Sequence, residues 1–152
     1  MSPEAQNLSA RLARQIEASG PISVAEFMRA SNEVYYGSGD PLGAQGDFIT
    51  APEISQMFGE LIGLWLTDLW IRSGNRTNCK YVELGPGRGT LAADALRSMK
   101  QFALEPETWF VETSASLREI QSTKVGWPNF CNTVDGLPDD GPLFIIANAF
   151  FD

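Results

Sequence analysis

Apolar residues recur at helical spacing in the first half of the chain and form short continuous runs in the second half. The first 3.6-residue period predicts an amphipathic helix over Glu4–Ser19, which ends at Gly20-Pro21. Its apolar stripe consists of Leu8, Leu12 and Ile16. Ser23 with Glu26 has the spacing of a capping box, so a second, shorter helix is expected directly afterwards.

A glycine-rich loop is predicted over residues 33–50 because glycines interrupt every regular pattern there. Thr50 and Glu53 then form a further capping-box signature, with Pro52 early in the helix, where its missing N–H costs nothing. A long helix over Pro52–Ser73 is predicted to pack on the sheet or between two layers. Its wide apolar stripe comprises Ile54, Met57, Phe58, Leu61, Ile62, Trp65, Leu69 and Trp70.

The second half alternates between strand and helix patterns. Strands are predicted over 81–84, 108–112 and 143–147, with a brief one near 130–134. A helix follows the first strand, and Ser116 with Glu119 is expected to cap a helix after the second. Right-handed crossovers would place these strands in one parallel sheet, so the fold class is α/β: N-terminal helices followed by a Rossmann-like sheet.

The first of these strands leads into a turn with a glycine at every second position, Gly85, Gly87 and Gly89. Glycines let the backbone bend sharply and approach a ligand without an intervening side chain. The free N–H groups of the helix that begins at Thr90 point toward the same place. The turn therefore predicts a site for a nucleotide-like cofactor, although a purely structural glycine turn stays an alternative.

The residues around the turn favour a cationic cofactor. The dinucleotide fingerprint G-x-G-x-x-G would need a glycine where Thr90 stands, whereas this chain has E-x-G-x-G-x-G from Glu83 to Gly89. That motif resembles the one of class I S-adenosylmethionine (SAM) methyltransferases. SAM carries an ammonium and a sulfonium, which a carboxylate attracts, while a pyrophosphate would be repelled. Glu112, at the end of the next strand, can accept both ribose hydroxyl protons, as it could from a nicotinamide or flavin cofactor.

Composition narrows the function further. The chain has 152 residues, the size of one domain, and 11 basic against 19 acidic residues, which argues against a nucleic-acid surface. It contains no histidine, which excludes Ser-His-Asp and Cys-His catalysis within this span. The first residues show no secretory pattern, and no apolar run approaches the ~18 residues of a membrane span.

A narrower resemblance covers nearly the whole chain. The segment G-D-F-I-T-A-P-E-I-S-Q-M-F-G-E over 46–60 resembles the signature of the MidA family, bacterial and mitochondrial relatives of the complex I assembly-factor methyltransferase. Segments 82–90, 111–118 and 147–152 also match in order. The family usually reads A-N-E-F-F-D at the last of these, and here Ala149 replaces the glutamate.

This resemblance implies SAM as cofactor and N-methylation of an arginine in a protein substrate, such as a complex I subunit, in a bacterial cytoplasm. The cofactor-binding residues it implies are Glu83, Gly85, Gly87, Gly89, Thr90, Glu112, Thr113 and Asn148. Asp47 and Asp152 are the implied catalytic carboxylates, with Glu53 as a weaker candidate. Ala149 keeps open a SAM-binding assembly factor without methyl transfer, and a nicotinamide-dependent oxidoreductase is the second alternative.

The same resemblance bears on domain organisation. A SAM methyltransferase sheet normally has seven strands, and only three or four are visible, so the sheet is expected to be the incomplete N-terminal part of a longer enzyme. The predicted division is an N-terminal helical region over 1–73 and the first half of the SAM-binding domain over 74–152.

Overall fold

The computed structural model of the protein describes residues 3–37, 50–148 and 150. Contacts group the chain into two compact units, Met1–Pro41 and Leu42–Asp152. The first unit contains helices α1, Pro3–Ser19, and α2, Val24–Gly37. Ser23 caps α2 as predicted, since its Oγ accepts the Glu26 N–H at 3.1 Å. The division at residue 73 stays a prediction.

Helix α2 is longer than the sequence pattern indicated. The predicted loop over 33–50 is wrong in its first residues, because the helix continues through Gly37. An ion pair between Arg29 and Glu33, one helical turn apart at 2.7 Å, supports this extension. The rest of that predicted loop, including Asp47, lies outside the described residues.

The single long helix predicted over 52–73 is in fact two helices. They are α3, Ala51–Ile54, and α4, Gln56–Arg72. The break occurs because Ser55 adopts an extended conformation (φ −148°, ψ 121°) and caps α4, its Oγ accepting the Met57 N–H at 3.2 Å. The predicted Thr50 cap is wrong, since the Thr50 side chain makes no capping hydrogen bond.

The second unit is built on a four-stranded parallel sheet with the order β3-β2-β1-β4. Its strands are β1, Lys80–Leu84; β2, Glu107–Val111; β3, Asn129–Cys131; and β4, Leu143–Ile146. Helix α5, Thr90–Lys100, follows β1, and α6, Ala115–Val125, follows β2. The α/β fold class and the Rossmann-like strand–helix alternation are therefore confirmed, and the brief strand expected near residue 130 is β3.

Strand β1 forms the centre of the core, because all five of its residues are buried. Side chains alternate between the two faces of a strand. Tyr81 belongs to the larger cluster, which α4, α5 and β2 complete with Leu66, Ala92, Ala95, Met99 and Phe110. Val82 and Leu84 belong to a smaller cluster with Val111 on the other face. Because both faces of β1 are buried, apolar residues occur at successive positions of its sequence and do not alternate with polar ones.

Helix α4 packs on α5 through small residues and not through its apolar stripe. A Cβ atom at Gly59 would lie 2.6 Å from Asp94 Cβ, and one at Gly63 would overlap the backbone of Ala95. The predicted burial is wrong for five of the eight stripe residues, because the close approach of the two helices buries the face that carries the glycines. The exposed stripe residues are Ile54, Met57, Leu61, Trp65 and Leu69, while Phe58, Ile62 and Trp70 are half-buried.

Candidate cofactor-binding site

The parallel register brings the ends of three neighbouring strands to one edge of the sheet. Leu84 of β1 pairs with Val111 of β2, and Glu83 pairs with Ile146 of β4. The residues that follow these strands therefore share the carboxyl edge, where open α/β sheets bind ligands. The turn after β1 is anchored there by a hydrogen bond from the Gly85 N–H to the Val111 carbonyl at 3.0 Å.

The glycine turn after β1 has a left-handed backbone at each of its three glycines. Gly85, Gly87 and Gly89 have φ values of 59°, 55° and 75°, which side-chain-bearing residues rarely adopt. Two of the glycines also make room for the protein itself. A Cβ at Gly85 would lie 2.6 Å from the Phe150 ring, and one at Gly89 would lie 3.5 Å from Gln121 in α6.

Glu83 is a buried carboxyl group directly before this turn. Its side chain is 4% exposed, and the Tyr81 phenol donates a hydrogen bond to Glu83 Oε2 at 2.8 Å. Burial raises the pKa of Glu83 to about 8, although the Tyr81 hydrogen bond acts in the opposite direction. Among the described residues no lysine or arginine pairs with this carboxyl group. A cation placed beside it would favour its ionised form.

Glu112 is held in one orientation at the end of β2. Its Oε1 accepts the N–H groups of Thr113 and Ser114, both at 2.8 Å, and its Oε2 accepts Gln121 Nε2 at 3.2 Å. Because Oε2 has only this one donor among the described residues, it can accept a further hydrogen bond from a ligand hydroxyl. Thr113, predicted to bind cofactor, here supplies its backbone N–H to Glu112.

The same segment corrects the predicted start of α6. Ser114, and not Ser116, caps the helix: its Oγ accepts the Leu117 N–H at 3.4 Å. The guanidinium of Arg118 donates a hydrogen bond from Nε to the backbone carbonyl of Glu112 at 2.9 Å. This bond fixes the first turn of α6 against the end of β2. The carboxylate of Glu112 replaces the reciprocal half of the predicted capping box, and for this reason Glu119 is not needed there.

Gln121 is a site residue that the sequence reasoning missed. It is completely buried, and its Nε2 donates to the Gly87 carbonyl at 2.7 Å as well as to Glu112. The available signal was a polar residue one helical turn after the buried Leu117, on the face of α6 that packs inward. A polar side chain on such a face needs an internal partner.

Thr90 joins three helices at the edge of the glycine turn. Its Oγ1 donates to Glu53 Oε1 of α3 at 2.5 Å and accepts from Lys124 Nζ of α6 at 2.6 Å. Glu53 is therefore a partner of the turn, and its predicted role as a capping-box acid is wrong. The predicted role of Thr90 in cofactor binding stays a prediction.

The remaining predicted site residues differ in what the structure says of them. Asn148 lies half-buried in the turn after β4, at the same edge as Gly85 and Glu112. Asp47 and Asp152, predicted as catalytic carboxylates, and Ala149 lie outside the described residues. Within the described ranges no group of three potential ligands could hold a metal ion, and no helix is long and apolar enough to cross a membrane.

A glycine turn, a buried carboxyl group and a fixed second carboxylate at one sheet edge define a nucleotide-cofactor site suited to a cationic ligand. Residues 61–152 match the family model described as "Putative S-adenosyl-L-methionine-dependent methyltransferase". The chain belongs to this family.

Curated relatives agree with that assignment. The chain is 42% identical to "Protein arginine methyltransferase NDUFAF7 homolog, mitochondrial" of Drosophila melanogaster, over 90% of this chain and 32% of the relative. The identity is 49% to the NDUFAF7 protein of Rattus norvegicus, over 71% and 27%, and 41% to that of Xenopus tropicalis, over 99% and 43%. The chain thus spans less than half the length of these relatives.

A solved structure shows the same fold. It is a COG1565 superfamily member from Burkholderia thailandensis bound to S-adenosyl-homocysteine, with a TM-score of 0.78 and 23% identity. The match covers 97% of this chain and 42% of that one. The predicted resemblance to the MidA family and the choice of SAM as cofactor are confirmed, and the nicotinamide alternative loses its support.

Proposed function

We propose that this chain forms the cofactor-binding part of a SAM-dependent methyltransferase that methylates an arginine side chain of a protein substrate. One observation carries the proposal: Glu83 is buried beside the glycine turn with no cation paired to it in the described part of the chain, an arrangement that a cationic cofactor completes. The arginine specificity rests on the names of the relatives, which are called protein arginine methyltransferases.

The residues of the sheet edge fit the parts of SAM. Glu83 would attract its positive charge at short range in a buried setting, where Coulomb attraction is strong. Glu112 would accept ribose hydroxyl protons on Oε2, and the glycine turn would allow close backbone approach. Thr113 and Asn148 are further proposed contacts. The bound cofactor supplies an electrophilic methyl group, and positioning of the acceptor nitrogen does most of the remaining work.

Arginine is a poor nucleophile because its lone pairs are delocalised over the guanidinium. Carboxylates that orient this group and localise its charge would assist the transfer. Asp47 and Asp152 are the proposed carboxylates, on the strength of the family resemblance alone. A complex I subunit as the acceptor, the cytoplasm of a bacterium as the location and the division into 1–73 and 74–152 are parts of the same proposal.

A second candidate is a SAM-binding assembly factor that transfers no methyl group. Ala149 favours it, because the family usually has a glutamate at this position. The two candidates share the cofactor site and differ only in turnover. Restoring the acid with Ala149→Glu separates them, since an increase in methyl transfer from near zero would identify the missing group.

Calorimetric titration of the purified protein with SAM tests the cofactor site. Gly87→Val should lose binding, because a β-branched residue cannot adopt φ 55° and would fill the approach to the turn. Gly74→Val is the matched control: it introduces the same strain at φ 87°, where a Cβ has open space. Equal loss in both variants would mean that backbone strain alone, and not the site, explains the effect.

Methyl transfer is tested with SAM labelled in its methyl group and a bacterial complex I preparation as acceptor. Label that appears in arginine of a protein supports the arginine methyltransferase. Tight SAM binding without label in any protein, together with an inactive Ala149→Glu variant, would contradict methyl transfer and support the binding factor.

A further inference from the structure

We propose that Gln121 is a positioning residue that couples the glycine turn to Glu112 and thereby sets recognition of the cofactor's ribose. The inference rests on the proposed SAM site and adds a residue to it. Gln121 lies in α6, one helical turn after Leu117, and reaches the site from the buried face of that helix.

The geometry around the Gln121 amide defines its role. Nε2 lies between two acceptor oxygens, the Gly87 carbonyl at 2.7 Å and Glu112 Oε2 at 3.2 Å. The opposite amide orientation would place an oxygen against both acceptors, so the partners fix which end is nitrogen. Both N–H groups of one side chain therefore join the turn after β1 to the carboxylate after β2.

The oxygen end of this amide is desolvated, which is an energetic cost of placing Gln121 between the turn and Glu112. Gln121 is 0% exposed, and its Oε1 has no hydrogen-bond partner in the described part of the chain. A buried carbonyl oxygen without a donor is unfavourable, and an apolar residue at this position would avoid it. The retained amide is accounted for by its two donations.

Close approach of α6 to the turn makes these donations geometrically feasible. Gly89 has no side chain, and a Cβ there would contact Val125 at 3.4 Å and Gln121 at 3.5 Å. The third glycine of the motif thus makes space for α6, while the second offers its carbonyl to Gln121. The glycine turn therefore contacts α6 of the same protein, in addition to its proposed contact with the cofactor.

The consequence concerns the free acceptor capacity of Glu112. Its Oε1 already accepts two backbone N–H groups, so a ribose hydroxyl would have to use Oε2. Gln121 is the donor that holds Oε2 among the described residues. Removing it should free the carboxylate end to rotate and weaken contacts to the ribose hydroxyls more than contacts to the rest of the cofactor.

The test compares two ligands, S-adenosylhomocysteine and its 2′-deoxy analogue, by calorimetry. The unchanged protein should bind the hydroxyl-bearing ligand about tenfold more tightly, as expected for a hydrogen bond to a charged group. Gln121→Met, which is similar in volume but donates no hydrogen bond, should reduce this preference to about twofold or less. Leu117→Met, a buried exchange on the same helix, is the control and should keep the preference.

Two further variants make the outcome decisive. Gln121→Glu keeps the shape but presents an oxygen to two acceptors, so it should lose the preference as well; a Glu variant that keeps it would overturn the proposal. Gln121→Ala repeats the comparison if the methionine does not fit the space. Equal weakening of both ligands in the Gln121 variants would reduce Gln121 to a packing residue, while no binding by the unchanged protein would instead contradict the cofactor site itself.

Discussion

Each end of strand β1 buries an ionisable side chain, and the two side chains differ in whether they have an ionic partner. Lys80, near the start of the strand, is 1% exposed, and its Nζ lies 2.6 Å from Asp140 Oδ1. Glu83, three positions later, is 4% exposed and has the Tyr81 phenol as its hydrogen-bond partner. The lysine is paired with an aspartate whose side chain is exposed, whereas Glu83 has no counter-charge among the described residues.

The pKa values follow this difference. Hydrogen bonds from Lys80 and, secondarily, Asn78 lower the pKa of Asp140, so this carboxylate stays ionised to a lower pH than usual. Burial raises the pKa of Glu83 to about 8. A paired buried charge holds neighbouring elements together, here the starts of β1 and β4. An unpaired one at a ligand-binding edge is a candidate for function.

The largest expected effect separates these two roles by neutralising each acid in turn. At neutral pH, Glu83→Gln should weaken SAM binding by ~10- to 100-fold, because the cofactor loses a buried counter-charge. The melting temperature without ligand should rise, because the wild-type carboxyl group must take up a proton on folding at this pH and the variant need not. Asp140→Asn should do the reverse: unchanged affinity and a lower melting temperature, because Lys80 loses its ionic partner.

Calorimetry and thermal unfolding on both variants make this comparison. The assignment of roles fails if Asp140→Asn weakens SAM binding as much as Glu83→Gln does. It also fails if Glu83→Gln lowers the melting temperature as far as Asp140→Asn, because Glu83 would then be a structural residue.

Much of this edge could be predicted from the sequence because it is encoded locally. The strand, the glycine turn and the helix over 81–100 follow one another without interruption, and each has its own sequence signal: an apolar run, a glycine at every second position and a 3.6-residue period. Glu83 and Glu112 could be placed at this edge for the same reason, since one is the penultimate residue of β1 and the other directly follows β2.

The contacts between distant segments could not be predicted in this way. Glu53 has a plausible local role as a capping-box acid, yet its carboxylate accepts from Thr90, 37 residues later. Gln121 lies 34 residues from Gly87, and no periodic pattern links them. Tertiary hydrogen bonds of this kind have no signature in spacing.

The orientation of α4 was wrong for a physical reason. Hydrophobic periodicity indicates which face of a helix is apolar, but not whether another face can approach its neighbour more closely. Gly59 and Gly63 allow that approach, so the small-residue face is buried against α5. Five large apolar side chains of the predicted stripe are exposed as a result, while Ile62 and Trp70 still pack against the core. Reading the four-residue glycine spacing first would have given the correct contact face.

A medium effect concerns the pH dependence of stability. The folded pKa of Glu83 lies above its unfolded value, so the folded state binds more protons between about pH 4.5 and pH 8. Below the unfolded pKa this group does not reduce the free energy of unfolding. As pH rises through that window, the free energy of unfolding decreases, by on the order of 3 kcal/mol at neutral pH. Asp140 acts in the opposite sense, and its stabilisation is lost as pH falls.

Chemical denaturation of the ligand-free protein from about pH 2 to about pH 9 covers the titration of both groups and measures these effects. Glu83→Gln should flatten the decline toward higher pH, while Asp140→Asn should leave it unchanged and weaken the pH dependence on the acid side. A wild-type protein and a Glu83→Gln variant with identical profiles would show that Glu83 titrates normally and that the contrast with Lys80 is only one of position.

The smallest expected effect concerns the one internal partner of Glu83. The Tyr81 phenol donates to its Oε2 at 2.8 Å and thereby lowers a pKa that burial raises. Tyr81→Phe should move the pKa of Glu83 further upward. SAM affinity should rise with pH as Glu83 becomes ionised, so in this variant the rise should occur at higher pH. The affinity near neutral pH should therefore fall by about threefold. In a Glu83→Gln background the same exchange should leave the pH profile unchanged, because the titrating group is gone. A shift that persists there would place the pH dependence elsewhere, and Glu83 would then resemble Lys80 in being a charge that the fold has already satisfied.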